Sequence, residues 1–187
     1  MTARCDAPIR DDALLDYGCG DAQADANHHM EEHLFACSEC AGRLERLISV
    51  AGAIVALARR GRISGIISRP LLNRLQRDGV NVRVFSLTPG ETVPCAAFPG
   101  DDLVVAALRA DFSGISAVKL SVSQTEQGPI AEITDIPAPV RDHEVLFATP
   151  GSQVREMPTT RLRLTLSVAG DDGRLLGEYQ LDHSATP

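Results

Sequence analysis

The chain lacks an excess of positive charge. Its 18 lysine and arginine residues stand against 25 aspartate and glutamate residues, which gives a formal net charge of −7. Binding to nucleic-acid phosphates needs a concentrated basic surface, so this balance argues against nucleic acid as the principal partner. The expected partner is therefore another protein.

A long apolar run is also missing. The most apolar stretch, from Leu47 to Ala58, has twelve residues and is closed by Arg46 and Arg59, whereas a helix that crosses the hydrocarbon core of a membrane needs about 20. The first twelve residues contain no apolar segment of the kind found in secretory signals. We therefore expect a cytoplasmic protein with neither a signal peptide nor a membrane-spanning helix.

The chain has five cysteines, too few and too unevenly spaced for a disulfide framework. An odd number with part of it clustered fits a reducing compartment and a metal site better than structural disulfides.

The cluster lies in the segment His33-Leu-Phe-Ala-Cys37-Ser-Glu-Cys40. Two residues separate the two thiols, which lets a turn direct both sulfurs at one point, and His33 lies one helical turn before Cys37. Nitrogen and thiolate ligands at this spacing are typical of zinc. A closed site needs a fourth ligand, for which Cys5 is the best-placed thiol and Cys19 is the competitor.

Two other interpretations of the segment deserve comparison with zinc. Cysteine is often a small buried apolar residue, and His33 could simply end an amphipathic helix. A redox dithiol of the thioredoxin kind expects a strand before the cysteine pair, whereas the residues before Cys37 predict a helix. The added histidine at a helical offset favours zinc.

Residues 5–62 resemble the zinc-binding anti-sigma domain. The resemblance rests on the His-x₃-Cys-x₂-Cys segment, on Leu14-Leu15-Asp16-Tyr17, and on the acidic helix that ends in Met30-Glu31-Glu32-His33-Leu34. It implies that Cys5 is the first zinc ligand and that the domain binds an extracytoplasmic-function sigma factor. It also implies that a helix over 63–78 presents an apolar side to that sigma factor; the residues alone leave packing on the second domain as the alternative.

The periodicity predicts an α+β protein with three parts. They are a zinc-stabilised helical domain over residues 1–62, a linker helix over 63–79, and an antiparallel β-sandwich of immunoglobulin-like type over 80–187. Helices are expected at 9–17, 21–34, 40–60 and 68–79. Strands are expected at 80–87, 92–98, 103–110, 117–123, 130–136, 144–148, 161–168 and 175–181.

The second domain offers no convincing active site. His143 and His183 are expected to be exposed in a turn and in the C-terminal tail, and Cys95 is expected to be a buried apolar residue. A catalytic zinc would need an open coordination position and a nearby general base, for which the carboxylates around the cysteines are poorly suited. We therefore expect no enzyme.

The sequence thus predicts a cytoplasmic transcription regulator that holds zinc through Cys5, His33, Cys37 and Cys40 and sequesters a sigma factor. The alternative is a module in which zinc only joins the helices and which has no sigma partner. Whether the zinc responds to oxidants or is purely structural stays open at this point.

Overall fold

A computed structural model describes residues 5–22, 24–124, 128–139, 142–170 and 173–185, with the backbone alone for 24–26. The expectation that the first residues form no secretory signal concerns, in part, residues 1–4, which lie outside the described ranges. The chain forms two units, the first from Met1–Arg60 and Arg69–Val80, and the second from Gly61–Ser68 and Asn81–Pro187. Helices build the first unit and two mixed sheets build the second, so the α+β class is confirmed.

Four helices lie in the described part of the helical unit. They are α1 (Asp11–Cys19), α2 (Ala24–Ala36), α3 (Ser38–Arg59) and α4 (Arg69–Arg77). All four were predicted, with ends that differ by a few residues. In the described ranges no helix is both long enough and apolar enough to cross a membrane.

Helix α1 ends where the sequence places two glycines around a cysteine. Gly20 takes the left-handed conformation, with φ of 74°, which glycine adopts without a steric penalty. Gly18 has a different role, because a Cβ atom there would lie 3.0 Å from Ile48 Cγ1 and 3.2 Å from a methyl carbon of Leu44. A glycine at 18 therefore allows α1 to approach α3 closely.

Helix α4 is shorter than the helix over 63–78 that the family resemblance implied. Residues Gly65–Ile67 form a strand instead, since the two isoleucines pair with a partner strand in the β unit. The leucines of α4, which the resemblance placed on a side exposed to a partner, are buried: Leu71, Leu72 and Leu75. The side chains of Arg74 and Arg77 donate to the carbonyl oxygens of Gly18 and Cys19, which attaches α4 to the end of α1.

The residues of the β unit that the structure describes form nine strands and one short helix. They are β1 (Gly65–Ile67), β2 (Val82–Leu87), β3 (Thr92–Cys95), β4 (Leu103–Arg109), β5 (Ala117–Gln124), β6 (Gly128–Pro137), β7 (Glu144–Pro150), α5 (Gly151–Glu156), β8 (Thr160–Val168) and β9 (Leu175–His183). Eight of the strands were predicted. Strand β1 and helix α5 were missed, because each is too short to show a hydrophobic period.

The strands form a four-stranded sheet in the order β1-β7-β4-β2 and a five-stranded sheet in the order β3-β9-β8-β5-β6. The expectation of wholly antiparallel sheets is wrong, because β2 runs parallel to β4 and β3 runs parallel to β9. The physical reason is that the chain leaves the first sheet through β3 before it returns as β4. A hairpin would make β2 and β4 antiparallel, but β3 lies between them in the chain, and the two strands run in the same direction.

One hydrophobic core is shared by both sheets. Leu87, Leu108 and Val145 of the four-stranded sheet contribute to it together with alternate residues of β5, β8 and β9. The predicted dry face of β8 is confirmed for Leu164 and Leu166, which are at most 1% exposed. The Tyr179 hydroxyl is buried in this core and donates to the carbonyl oxygen of Arg109 at 2.7 Å.

The loop before β4 is held by an arginine–carboxylate pair. Arg83 donates to both carboxylate oxygens of Asp101, at 2.7 and 3.1 Å, and the Phe98 N–H donates to the same carboxylate at 2.8 Å. Arg155 donates to the carbonyl oxygen of Asp101 at 3.1 Å. That carbonyl faces Gly151 so closely that any Cβ atom on residue 151 would collide with it.

The replacement Gly151→Ala should therefore destabilise the β unit by about 1–3 kcal/mol, because the backbone on both sides of the collision must shift. The free energy of unfolding from urea titration measures the effect. Gly52→Ala is the matched control, since Gly52 lies in α3 with nothing within 4 Å of its added Cβ. The control should stabilise its helix by about 0.5–1 kcal/mol, and a loss of stability at 52 as large as that at 151 would contradict the collision.

Candidate metal centre

The four predicted ligands come from three elements of the helical unit. Cys5 lies in the segment before α1, His33 in the last turn of α2, and Cys40 in the first turn of α3. Cys37 lies between α2 and α3, with extended backbone at φ −119° and ψ 99°. The site is thus built around the junction of two helices.

The backbone at this junction explains how the local ligands converge. The Cys37 N–H donates to the carbonyl oxygen of His33 at 2.8 Å, and the Ala41 N–H donates to the carbonyl oxygen of Cys37 at 3.1 Å. Helix α2 therefore ends at Cys37, and helix α3 begins directly after it. The change of direction at a single residue brings His33 and Cys40 to the same side of the turn.

The ligand atoms of Cys5, His33, Cys37 and Cys40 all lie within 4.8 Å of one another. The Cys5 sulfur lies 3.5 Å from Nε2 of His33 and 3.9 Å from the Cys40 sulfur. Cys40 is fully buried, while the other three are partly buried. Three sulfurs and one imidazole nitrogen gathered in this way can hold a metal ion.

The electrostatics of the junction favour a thiolate at Cys37. The Cys40 backbone N–H donates to the Cys37 sulfur and, with hydrogen bonds from neighbouring side chains, lowers the pKa of Cys37 to about 7. Loss of solvent contact and the hydrogen bond with Cys37 raise the pKa of Cys5 to about 11. Metal binding requires deprotonated thiols, so an ion entering here must displace the proton of Cys5.

Glu39 makes a contact beside the metal ligands that the sequence analysis did not predict. Its Oε2 accepts a hydrogen bond of 2.8 Å from the backbone N–H of Cys5. Glu39 stands between the two thiols of the ligand segment, 34 residues from Cys5, and no local pattern indicates a contact over that distance. The carboxylate ties the segment that carries Cys5 to the start of α3.

Cys19, the competitor for the fourth position, lies elsewhere. It is buried at the end of α1, and it is absent from the group of four that the described residues form. Burial raises the pKa of its thiol, and the nearby Arg74 opposes this effect. The geometry thus places Cys5, and not Cys19, beside the other three ligands.

Three further sequence expectations concern the β unit. His143 is exposed, as predicted, and lies directly before β7 with φ of 50°. Cys95 is buried, also as predicted, and burial raises the pKa of its thiol to about 11. The expectation for His183 is wrong: the residue is 1% exposed, because β9 extends through it and pairs with strands on both sides.

Comparisons with known proteins leave the family open. No protein-family profile matches the chain, and no curated protein matches it. Among solved structures, the N-terminal domain of phage TP901-1 ORF48 covers 55% of this chain and 98% of its own, at 11% identity and a TM-score of 0.31. A likeness at that level supports no conclusion about function.

Cys37→Ser and Cys40→Ser should each lose the metal, because each removes one of four soft ligands, and should reduce helicity because metal binding and folding are coupled. Metal content of the purified chain and its far-ultraviolet circular dichroism measure the two effects. Cys5→Ser should weaken metal retention more than Cys19→Ser. Full metal content in both the Cys37 and the Cys40 variants would contradict the site.

Glu39→Ala should lower the metal affinity of the site by about tenfold, since hydrogen-bond partners that orient ligands typically contribute 10–100-fold. Competition with a chromogenic chelator measures the affinity. Glu39→Gln retains an acceptor oxygen and should keep most of the metal affinity. Glu45→Ala, at an exposed position of α3, is the control. Equal affinities in Glu39→Ala and Glu45→Ala would remove Glu39 from the site.

Proposed function

We propose that Cys5, His33, Cys37 and Cys40 bind one zinc ion and that the helical unit is an anti-sigma domain, which sequesters an extracytoplasmic-function sigma factor. The observation that carries the proposal is the convergence of these four ligands around the α2–α3 junction. The segment that contains three of them is also the one on which the resemblance to zinc-binding anti-sigma domains rests.

The distances support zinc. Tetrahedral zinc with Zn–S bonds of about 2.3 Å places two sulfurs about 3.8 Å apart and a sulfur and a nitrogen about 3.6 Å apart. The corresponding distances are 3.9 Å between the sulfurs of Cys5 and Cys40 and 3.5 Å between the Cys5 sulfur and Nε2 of His33. These two separations, which join Cys5 to His33 and to Cys40, are thus close to those that the ion requires.

Zinc has a structural role in this proposal. A helical unit of this size buries little apolar surface, so a bond network that joins the segment before α1 to the α2–α3 junction adds stability that packing alone does not supply. Four protein ligands leave no open coordination position for a substrate or a nucleophilic water. The carboxylate of Glu39 accepts a hydrogen bond from the backbone N–H of Cys5, so it positions a metal ligand. We propose no enzyme activity for this site.

The surface beside the metal ligands supports protein binding. Phe35 is 93% exposed and stands between His33 and Cys37 in the chain, so ligands on both sides hold its backbone. Its side chain borders a depression of about 430 Å³ in the helical unit. The other lining residues are Tyr17, Glu31, Leu34 and Leu44.

The proposed occupant of this depression is an apolar helix face of the sigma factor. Helix α3 adds Ile48, which is 40% exposed and lies one helical turn after Leu44 of the depression. The apolar stripe of an amphipathic helix is complementary to such a surface. A cytoplasmic location follows from this partner and from free thiols at the metal site.

Phe35→Ser should weaken sigma-factor binding by about 2 kcal/mol or more, the size typical of a central aromatic contact in an interface, and should leave zinc content unchanged. The full-length zinc-loaded chain is used to co-purify partners from its source organism. A sigma factor identified by mass spectrometry is then purified and its affinity measured by calorimetry.

Leu175→Ser is the matched control, because Leu175 is another exposed apolar residue but lies on β9 of the β unit. It should leave the affinity unchanged. Retention of zinc without any sigma factor among the co-purified proteins would reject the anti-sigma function and leave the zinc-joined interaction module. Equal affinities for the Phe35 variant and the native chain would remove the depression from the interface.

A further inference from the structure

The β unit contains a cavity between its two sheets. Both sheets contribute side chains to it, and Val154 of α5 and Met157 cover one side. The apolar residues from the strands are Val104, Ala106, Val122, Phe147, Leu162, Leu164 and Leu181. Cys95, Thr149 and His183 complete the lining, so the walls are apolar with few polar groups, which is the usual character of small-molecule sites.

The cavity is larger than a water site. Its volume is about 50 Å³, whereas a single buried water needs only about 10–15 Å³. Phe147, Leu162 and Met157 are partly exposed, so they form a side from which solvent can be reached. A small organic molecule has both room and an entrance.

His183 contributes an imidazole ring to the cavity wall. Its Nε2 lies 3.3 Å from the carbonyl oxygen of Met157. A carbonyl oxygen only accepts hydrogen bonds, so Nε2 must carry the proton that it donates. In the neutral imidazole with this tautomer, Nδ1 offers a lone pair, and among the described residues this buried atom has no hydrogen-bond partner.

A buried acceptor without a partner costs free energy, and native structures rarely leave one unexplained. His183 is held in place from both sides, since its backbone pairs with that of Cys95 in β3 and that of Thr160 in β8. The ring therefore cannot turn to solvent without opening the sheet. A bound molecule with a donor group would satisfy the acceptor where the protein does not.

We propose that this cavity binds a small, predominantly apolar molecule that carries one hydroxyl or N–H group, which donates to Nδ1 of His183. The apolar walls exclude charged ligands, because a charge buried there would have no counterion. The site lies within the β unit and is independent of the metal centre and of the sigma factor.

Phenol and benzene are the probes, since they share an apolar ring and differ in one donor. Titration of the zinc-loaded full-length chain, followed by methyl resonances of the valines and leucines that line the cavity, should show phenol binding about tenfold more tightly than benzene, the effect of one buried hydrogen bond. In His183→Leu the preference for phenol should disappear. His143→Leu, which replaces an exposed histidine of the same unit, should keep it.

A second measurement, of the ¹⁵N resonance of His183, uses the native chain and therefore does not depend on whether a variant folds. Phenol, but not benzene, should shift the ¹⁵N resonance of His183 Nδ1, because only phenol donates to it. Absence of phenol binding would overturn the proposal and leave a buried water as the partner of Nδ1. Binding of both probes with equal affinity and no change at Nδ1 would also overturn it, because the donor would then play no part.

Discussion

The extended backbone at Cys37 is the feature on which the helical unit depends. It interrupts what would otherwise be one continuous helix over α2 and α3, and it does so between two metal-ligand positions of the same segment. A continuous helix would carry the side chains of residues 33, 37 and 40 along one face at increasing height. The change of direction converts this linear spacing into convergence, which leaves room for a thiol from another part of the chain.

That thiol arrives through a contact distant in sequence. Cys5 has its backbone N–H bound to Glu39 and its sulfur beside His33 and Cys40. Two interactions of different kinds therefore hold the same segment: a hydrogen bond between backbone and carboxylate, and the ligand set itself. In the proposed zinc site the first positions the ligand that the second uses, and Phe35 is presented between two ligands of the same junction.

In the β unit, polar side chains enclosed in the hydrophobic core are held by hydrogen bonds to the backbone. Strand β4 is buried along most of its length because it lies inside a sheet and faces the shared core. Polar atoms in this interior have partners supplied by backbone carbonyls, as for Tyr179 and Arg109. His183 keeps one such bond and has a second ring nitrogen without a partner, which makes the cavity beside it a candidate binding site.

Interactions between near neighbours account for what could be predicted correctly: four helices, eight of the nine strands in the described ranges, the alternation that buries Leu164 and Leu166, and the spacing of His33, Cys37 and Cys40. Local periodicity and turn chemistry act over a few residues, so a single sequence displays them. The packing of the whole chain determines that Cys5 and not Cys19 joins the three, that Glu39 holds the Cys5 backbone, that two strand pairs are parallel, and that His183 is buried. Each of these depends on residues far apart in the chain, whose meeting follows from the packing of whole elements and leaves no local pattern.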